Sequence, residues 1–380
     1  MRIGIDVRPL EGASGRRGVG TYVRGLVGAL LDARGGDDFV LFHREGALLP
    51  GEWRLPREGA SPAALTRPRR GVTLWDQFAW PRTIARHDVA VFHSPFWTLP
   101  IAAASACALV QTLHDLTPVK LAHSVSLRNE MIFRANFACA RFARRVIVPS
   151  RSTLADAVSL GGIRLERIRA IPEGIDLPPA LLAAADQALP ALRLRLKLGG
   201  RYLLHTGGQD PVKNLEAAQA AAAALVRRGL DLLLVVTGEV GRSGEEMRRR
   251  AAAMGIGDRL VMTGYLERLD LVALYRGASA LLYPSINEGF GLPLLEAMAC
   301  GTPVVAARAG ALPEVGGGAC LYAEPGDVEA LASAAGSILA DEELARRLSG
   351  EGRARAASFT WAEAARRTLE VYHEAAGSRP

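Results

Sequence analysis

No two of the four cysteines are spaced Cys-x-x-Cys, and no group of histidines accompanies them. Zinc ribbons, zinc knuckles and dithiol redox motifs are thereby excluded. Cys107, Cys139, Cys300 and Cys320 are expected as small core residues in a reducing compartment. Long apolar runs are missing too. The nearest approach, 92–113, is interrupted by prolines, Ser94, Ser105 and Gln111, and falls short of the roughly 18 uninterrupted apolar residues that a spanning helix needs. The start, Met-Arg-Ile-Gly-Ile-Asp6, reads as a first strand and not as a signal peptide, so the expected location is the cytoplasm. Aromatic residues make up only 6% of the chain, too few for base-stacking platforms, and no RNA-binding strand motif occurs. The net charge of +7 comes almost entirely from arginine. It reads as a solvated arginine-rich surface, and nucleic acid is not an expected partner.

What is present is an ordinary globular composition, 49% hydrophobic and 22% charged over 380 residues, enough for two domains. Short β-rich runs alternate with helical stretches. Strands are expected at 2–7, 39–43, 89–93, 109–114, 145–149 and 168–172, with helices at 20–32, 125–144 and 152–161. A leucine- and alanine-rich stretch, 177–200, reads as a linker with a lead-in helix. A second alternation follows, with strands at 202–206, 231–237, 260–263, 280–284 and 303–306 among helices at 214–228, 245–254, 269–277 and 293–300. Helices near 328–340 and 361–375 close the chain. This pattern predicts an α/β protein of two Rossmann-like, doubly wound parallel-sheet domains, 1–176 and 177–360, facing across a cleft.

Four stretches carry candidate chemistry. Glu288-Gly-Phe-Gly-Leu-Pro-Leu-Leu-Glu296 leaves a strand and enters a helix, with Pro293 suited to its first turn and Gly301 to its end. Its glycines allow a ligand close to the backbone, and a carboxylate beside amide donors can grip sugar hydroxyls. The same residues also suit a plain helix start with Glu296 satisfied locally. His205-Thr-Gly-Gly-Gln-Asp-Pro-Val-Lys213-Asn214 ends a strand in Gly207 and Gly208. Exposed amides and a mobile lysine charge fit phosphate, although the spacing is not that of a Walker A loop. The glycine-rich 12–20 loop follows the first strand without a full Gly-x-Gly-x-x-Gly fingerprint. His114 and His93 stand at strand ends, where a histidine is either structural or catalytic.

Taken together, these stretches resemble retaining family 4 glycosyltransferases of the GT-B fold over nearly the whole chain. The Glu-x7-Glu segment with its Gly-Phe-Gly-Leu-Pro interior carries most of the likeness. The opening Gly-Ile-Asp-Val-Arg-Pro, Gly18-Val-Gly20, His-Ser-Pro95, His-Asp-Leu116, Val148-Pro-Ser150, Ile171-Pro-Glu-Gly174 and Phe359-Thr-Trp361 fall in the family's order. The final helix, 361–380, is then expected to cross back to the first domain. The resemblance implies that Lys213 holds a donor diphosphate and that Glu288 contacts the transferred sugar. Gly289, Phe290, Gly291 and Leu292 would supply donor contacts, and Glu296 would bind ribose hydroxyls. Gly18 and Gly20 would approach the diphosphate, and His114 would sit beside the reacting sugar. Many members carry an arginine where this chain has Gly208, and Arg151 is a candidate substitute.

The Lys-Asn form is similar to that of bacterial cell-surface mannosyltransferases, which makes GDP-mannose the first expectation for the donor and a UDP-hexose the second. The implied acceptor is a cell-surface glycan or lipid-linked glycan. No Asp-x-Asp motif occurs, so neither metal nor cofactor is expected, and domain closure would exclude water. Arg67–Arg70 and the 125–144 helix are candidates for peripheral contact with an anionic membrane. A sugar-nucleotide epimerase of the same fold, a non-catalytic nucleotide-sugar binding protein and a dinucleotide dehydrogenase are the rival readings.

Overall fold

The structure, a computed structural model, describes residues 1–11, 15, 18–33, 35–44, 60–65, 74–96, 98–121, 127–239 and 241–377. Most of the 12–20 glycine loop, the Arg67–Arg70 cluster and the first residues of the 125–144 helix lie outside the described residues. The chain divides into two units, Met1–Gly174 with Phe359–Pro380, and Ile175–Ser358.

The first unit runs β1 (Arg2–Asp6), α1 (Gly18–Ala33), β2 (Asp38–Arg44), β3 (Ala60–Leu65), α2 (Leu74–Arg86), β4 (Val91–Ser94) and β5 (Ala108–Thr112). It continues with α3 (Thr117–Lys120), α4 (Leu127–Ala140), β6 (Arg145–Val148), α5 (Arg151–Ser159) and β7 (Ile168–Ala170). Its sheet has the order β3-β2-β1-β4-β5-β6-β7. Every pairing is parallel, and Ile3 lies opposite Phe39 on one side and Val91 on the other. Helices cover both faces, so the central strands are buried throughout and read as continuous apolar runs. In α1, Tyr22, Val23, Leu26, Val27, Leu30 and Leu31 recur at helical spacing and are buried against the sheet.

The second unit begins with α6 (Pro179–Arg195), β8 (Arg201–Thr206), α7 (Leu215–Arg227), β9 (Leu232–Thr237), α8 (Gly244–Ala253) and β10 (Leu260–Gly264). It goes on through α9 (Arg268–Gly277), β11 (Ala280–Tyr283), α10 (Leu292–Cys300), β12 (Val304–Ala307), α11 (Leu312–Gly316), β13 (Leu321–Ala323), α12 (Val328–Ala340) and α13 (Glu342–Ala356). The sheet order is β10-β9-β8-β11-β12-β13, again all parallel. The last helix, α14 (Trp361–Ala376), returns to the first unit and packs on α1.

Both sheets are doubly wound, as the alternation predicts. In each, the strand order reverses beside the first strand: between β1 and β4, and between β8 and β11. Ligands of open parallel sheets bind outside the carboxyl ends of the strands at such points. The loops that leave β8 and β11 are those quoted above for Lys213 and Glu288. The structure departs from the expected elements in several places. The stretch 177–200 is mostly the 17-residue helix α6 and not a linker. Helix α4 ends at Ala140, with Arg141 and Phe142 already in a turn. The strands β3 and β13 and the helices α2, α11 and α13 go unread in the sequence; Ala-Ser-Pro-Ala-Ala-Leu of β3 lacks β-branched residues, and α13 contains Gly350 and Gly352. Pro62 is tolerated because β3 is an edge strand.

Candidate functional site

At the end of β8 the backbone folds back on β9. The amides of Gly207 and Gly208 both donate to the Thr237 carbonyl, at 3.0 and 3.2 Å, and Gln209 N–H donates to Glu239 O at 2.8 Å. This corrects the expectation of exposed amides: these donors are already engaged within the protein. The two glycines serve close packing instead. A Cβ on Gly207 would stand 2.3 Å from Lys213 Cγ, so its absence lets the lysine stem pass. Gly208 has φ +54°, and a Cβ there would meet Glu239 O at 2.1 Å. An arginine therefore cannot occupy this place on the present backbone.

A single 3₁₀ turn, Pro211–Lys213, then carries the lysine forward, capped by the Asp210 carboxylate accepting from Val212 N–H. Asn214 follows in the left-handed region at φ +53°, which asparagine tolerates, and caps α7 through Ala217 N–H. Two bonds join this loop to the one leaving β11. Ile286 N–H donates to Val212 O at 2.9 Å, and Asn214 Nδ2 donates to Pro284 O at 3.3 Å.

Lys213 and Glu288 are thereby brought together. Lys213 Nζ lies 2.6 Å from Glu288 Oε1 and 3.1 Å from Tyr283 Oη, while Tyr283 O–H donates to the same Glu288 oxygen at 2.8 Å. The side chains of Lys213 and Glu288 are 19% and 10% exposed. Burial works against the Lys213 ammonium, but the charge of Glu288 and then Tyr283 outweigh it, and the pKa is held above its usual value. Burial, reinforced by Glu288, raises that of the Tyr283 phenol. The cluster is thus a cation, an anion and a neutral phenol.

Beyond Glu288 the main chain is clamped by Ala311 N–H, which donates to Glu288 O at 2.9 Å. Gly289 and Phe290 are buried, Phe290 with its ring in the interior. Gly291, at φ +104°, caps α10 without any side-chain bond, and Leu292 opens the helix with Pro293 in its first turn. Gly301 ends it at φ +79°, as the proline and glycine spacing predicts. The first turn of such a helix presents backbone N–H groups and the positive end of its dipole. Glu296 lies one turn along α10. Its Oε2 accepts from Tyr275 O–H at 3.2 Å. Burial pushes its pKa up, partly offset by Arg268 and by Tyr275.

In the first unit Gly18 is exposed at the start of α1, and Gly20 is buried against Gly15, whose carbonyl would meet a Cβ at 2.4 Å. His93 is wholly buried. One ring nitrogen bonds Tyr372 Oη at 2.7 Å and the other Thr112 Oγ1 at 2.8 Å, and Thr112 continues to Tyr22 Oη at 3.0 Å. Burial brings its pKa down to about 3. His93 is therefore a neutral core residue tying β4 to β5 and α14, and the structure corrects its candidacy as a site residue. His114 follows β5 and is 14% exposed, with Nδ1 3.2 Å from Glu173 Oε1. Its Nε2 is 3.0 Å from the Pro95 carbonyl, and its ring meets that of Tyr22 edge-on at 4.6 Å. Arg151 is the first residue of α5, exposed, after the capping residue Ser150.

Sequence reasoning missed Tyr283, Tyr275 and Glu173. Tyr283 had a usable signal, since it is the last residue of the strand that delivers the Glu288 loop. Glu173 lies inside a quoted motif, but its partner is 59 residues away. No local pattern reports such a contact.

Comparisons with known proteins cover both units. The family described as Glycosyltransferase Family 4 matches residues 16–178, and that described as Glycosyl transferases group 1 matches 193–355. The chain is 32% identical over 314 residues to the D-inositol 3-phosphate glycosyltransferase of Xylanimonas cellulosilytica, covering 76% of this chain and 73% of that protein. It is 32% identical over 241 residues to the MMP α-(1→4)-mannosyltransferase of Mycolicibacterium hassiacum, covering 62% and 55% of the two chains. The crystal structure of Anabaena Alr3699/HepE in complex with UDP and glucose superposes with a TM-score of 0.73 at 19% identity, over 98% of this chain and all of that one.

Proposed function

This chain is a family 4 glycosyltransferase of the GT-B fold, and on that premise we propose that it moves a hexose, first of all mannose from GDP-mannose, onto a hydroxyl of a cell-surface glycan or lipid-linked acceptor. The observation that carries the reading is the Lys213–Tyr283–Glu288 cluster beside the side-chain-free amino end of α10, at the point where the strand order of the second unit reverses. This unit is the donor side and the first unit the acceptor side. The diphosphate draws the Lys213 ammonium from Glu288, and the released carboxylate accepts a hydroxyl of the sugar. Helix α10 adds the backbone N–H groups of Gly291 and Leu292 at its start, since Pro293 has none and those of Leu294 and Leu295 already donate to Gly291 O. Glu296 accepts the ribose hydroxyls with the oxygen that Tyr275 leaves available.

As the glycosidic bond breaks, negative charge grows on the departing diphosphate, where Lys213 and the helix terminus are already aimed. The acceptor attacks on the face the diphosphate leaves, a phosphate oxygen takes its proton, and the configuration is retained. Lys213 and α10 supply the positive charge that a metal ion would otherwise provide, so the reaction is read as metal-independent. Mannose is supported by the mannosyltransferase name of the Mycolicibacterium relative. For the location we read a cytoplasmic protein whose first unit meets an anionic membrane surface. Exposed Met131, Phe142, Leu160 and Leu165 with Arg141, Arg144 and Arg164 support that reading.

The test is thermal shift against GDP, UDP, ADP and their sugar conjugates, because a ligand of the native state alone raises its stability. A shift with GDP and GDP-mannose is expected. In Lys213→Ala it should vanish, with turnover falling by about 10²–10³-fold. A shift with UDP sugars alone would discard mannose. Conversion of the donor to an isomeric sugar nucleotide without acceptor would identify an epimerase instead, and tight binding without turnover a binding protein.

A further inference from the structure

Both ring nitrogens of His114 face groups that only accept hydrogen bonds. Nε2 is 3.0 Å from the Pro95 carbonyl oxygen, and Nδ1 is 3.2 Å from a carboxylate oxygen of Glu173. A neutral imidazole carries one N–H and satisfies one such partner, whereas an imidazolium satisfies both. Glu173 is nearly inaccessible at 4% exposure, and a buried carboxylate requires a countercharge. The rest of the surroundings hold the ring in place. Tyr22 on α1 meets it edge-on, with its hydroxyl anchored through Thr112 to His93 and Tyr372. Thr153 on α5 donates to the His114 carbonyl at 3.5 Å. The neighbouring Asp115 carboxylate is turned to Thr117 N–H at 2.8 Å, leaving Glu173 as the carboxylate bonded to the ring.

We propose that Glu173 is a positioning residue for His114: it keeps the imidazole doubly protonated with both N–H groups directed at protein acceptors, so that His114 acts as a fixed positive charge and not as a base. This rests on the reading, implied by the family resemblance, that His114 sits beside the reacting sugar. A fixed cation suits a reaction in which a diphosphate leaves, because no proton has to move for it to act. The electrostatics agree in sign. Burial alone would lower the histidine pKa, but the Glu173 hydrogen bond and charge, the Pro95 carbonyl and Asp115 outweigh it, and the net direction is up. The neighbouring His93, neutral in the core, adds no competing charge. A raised folded value means that the pair stabilises the first unit below the ordinary histidine pKa, and that this contribution is lost as pH rises through the raised one.

The experiment is a pH titration of the full-length protein with ¹⁵N-labelled histidine rings, comparing wild type with Glu173→Gln, and with His114→Ala to assign the signal. Glutamine keeps the shape and can donate to Nδ1, which leaves His114 neutral. In wild type the doubly protonated signature of His114 should persist above neutral pH, and in Glu173→Gln its midpoint should fall by about one pH unit or more. The alkaline limb of turnover on GDP-mannose should move down by the same amount. Should Glu173→Gln fail to fold, Glu173→Asp keeps the charge on a shorter arm and should show an intermediate midpoint. A His114 that is neutral at neutral pH in wild type, or that titrates identically in both proteins, overturns the proposal. Undiminished transfer by His114→Ala would instead remove His114 from the reaction, with the titration still deciding on the pair.

Discussion

A histidine's role here follows from what surrounds its ring, and three of them differ accordingly. His114 faces a buried carboxylate, whereas His93 and His205 are held down to about 3 and about 4, in each case chiefly by burial, with the positive charge of His114 adding to it for His93 and that of Lys213 for His205. Both are neutral in the folded protein. On unfolding each recovers an ordinary value near 6.5, so the unfolded chain binds more protons as pH falls. The stability they contribute is complete above that value and is lost on the way down toward the folded ones. The unfolding free energy from urea titration should therefore drop below roughly pH 6.5, by about 1.4 kcal/mol per pH unit for each histidine, and the urea midpoint with it. A midpoint that stays flat down to about pH 4.5 would contradict neutral burial of both. Lys213 and Glu288 were legible as residues because each stands in a loop with its own glycine punctuation. The bond between them was not, since it depends on Tyr283 and on two loops meeting across 75 positions of sequence.

Among the elements, α14 has the clearest consequence. It begins at Trp361, caps itself through the Thr360 hydroxyl, and buries Trp361, Ala364, Ala365, Thr368, Val371, Tyr372 and Ala375 along one face. That face packs on α1, where a Cβ on Gly25 would come 2.1 Å from Trp361 Cε2. The glycine is needed for the close approach of the two helices. Trp361→Ala should cost roughly 3–5 kcal/mol, measured by urea unfolding of the full chain. Gly25→Ala, which overfills the same contact, should cost about 1–3 kcal/mol. If both are silent, α14 is not part of the first unit's core. The periodicity of this helix was readable. That of α13 was hidden, because its stability comes from packing against α10 and not from propensity.

The whole molecule carries a net charge of +7, and among the described residues no helix is long and apolar enough to cross a membrane. The membrane contact proposed for the first unit would be driven by arginine and by its few exposed apolar side chains. The protein should co-sediment with vesicles containing phosphatidylserine at low ionic strength. It should be released as salt shortens the screening length to about 8 Å near physiological strength. Equal binding to neutral vesicles, or none to either, would discard the membrane reading.

The sequence by itself determined the doubly wound architecture, the loops that bear Lys213 and Glu288, and the start and stop of α10. These depend on periodicity, on glycine and proline, and on spacing within a few residues, all of which act locally. Only the tertiary structure decided that the Gly207 and Gly208 amides are engaged by β9, that His93 is core, and that His114 is paired with Glu173. It also showed that Tyr283 completes the lysine cluster. Each of these depends on a partner brought near by sheet order and burial, and a chain read one residue after another holds no record of that proximity.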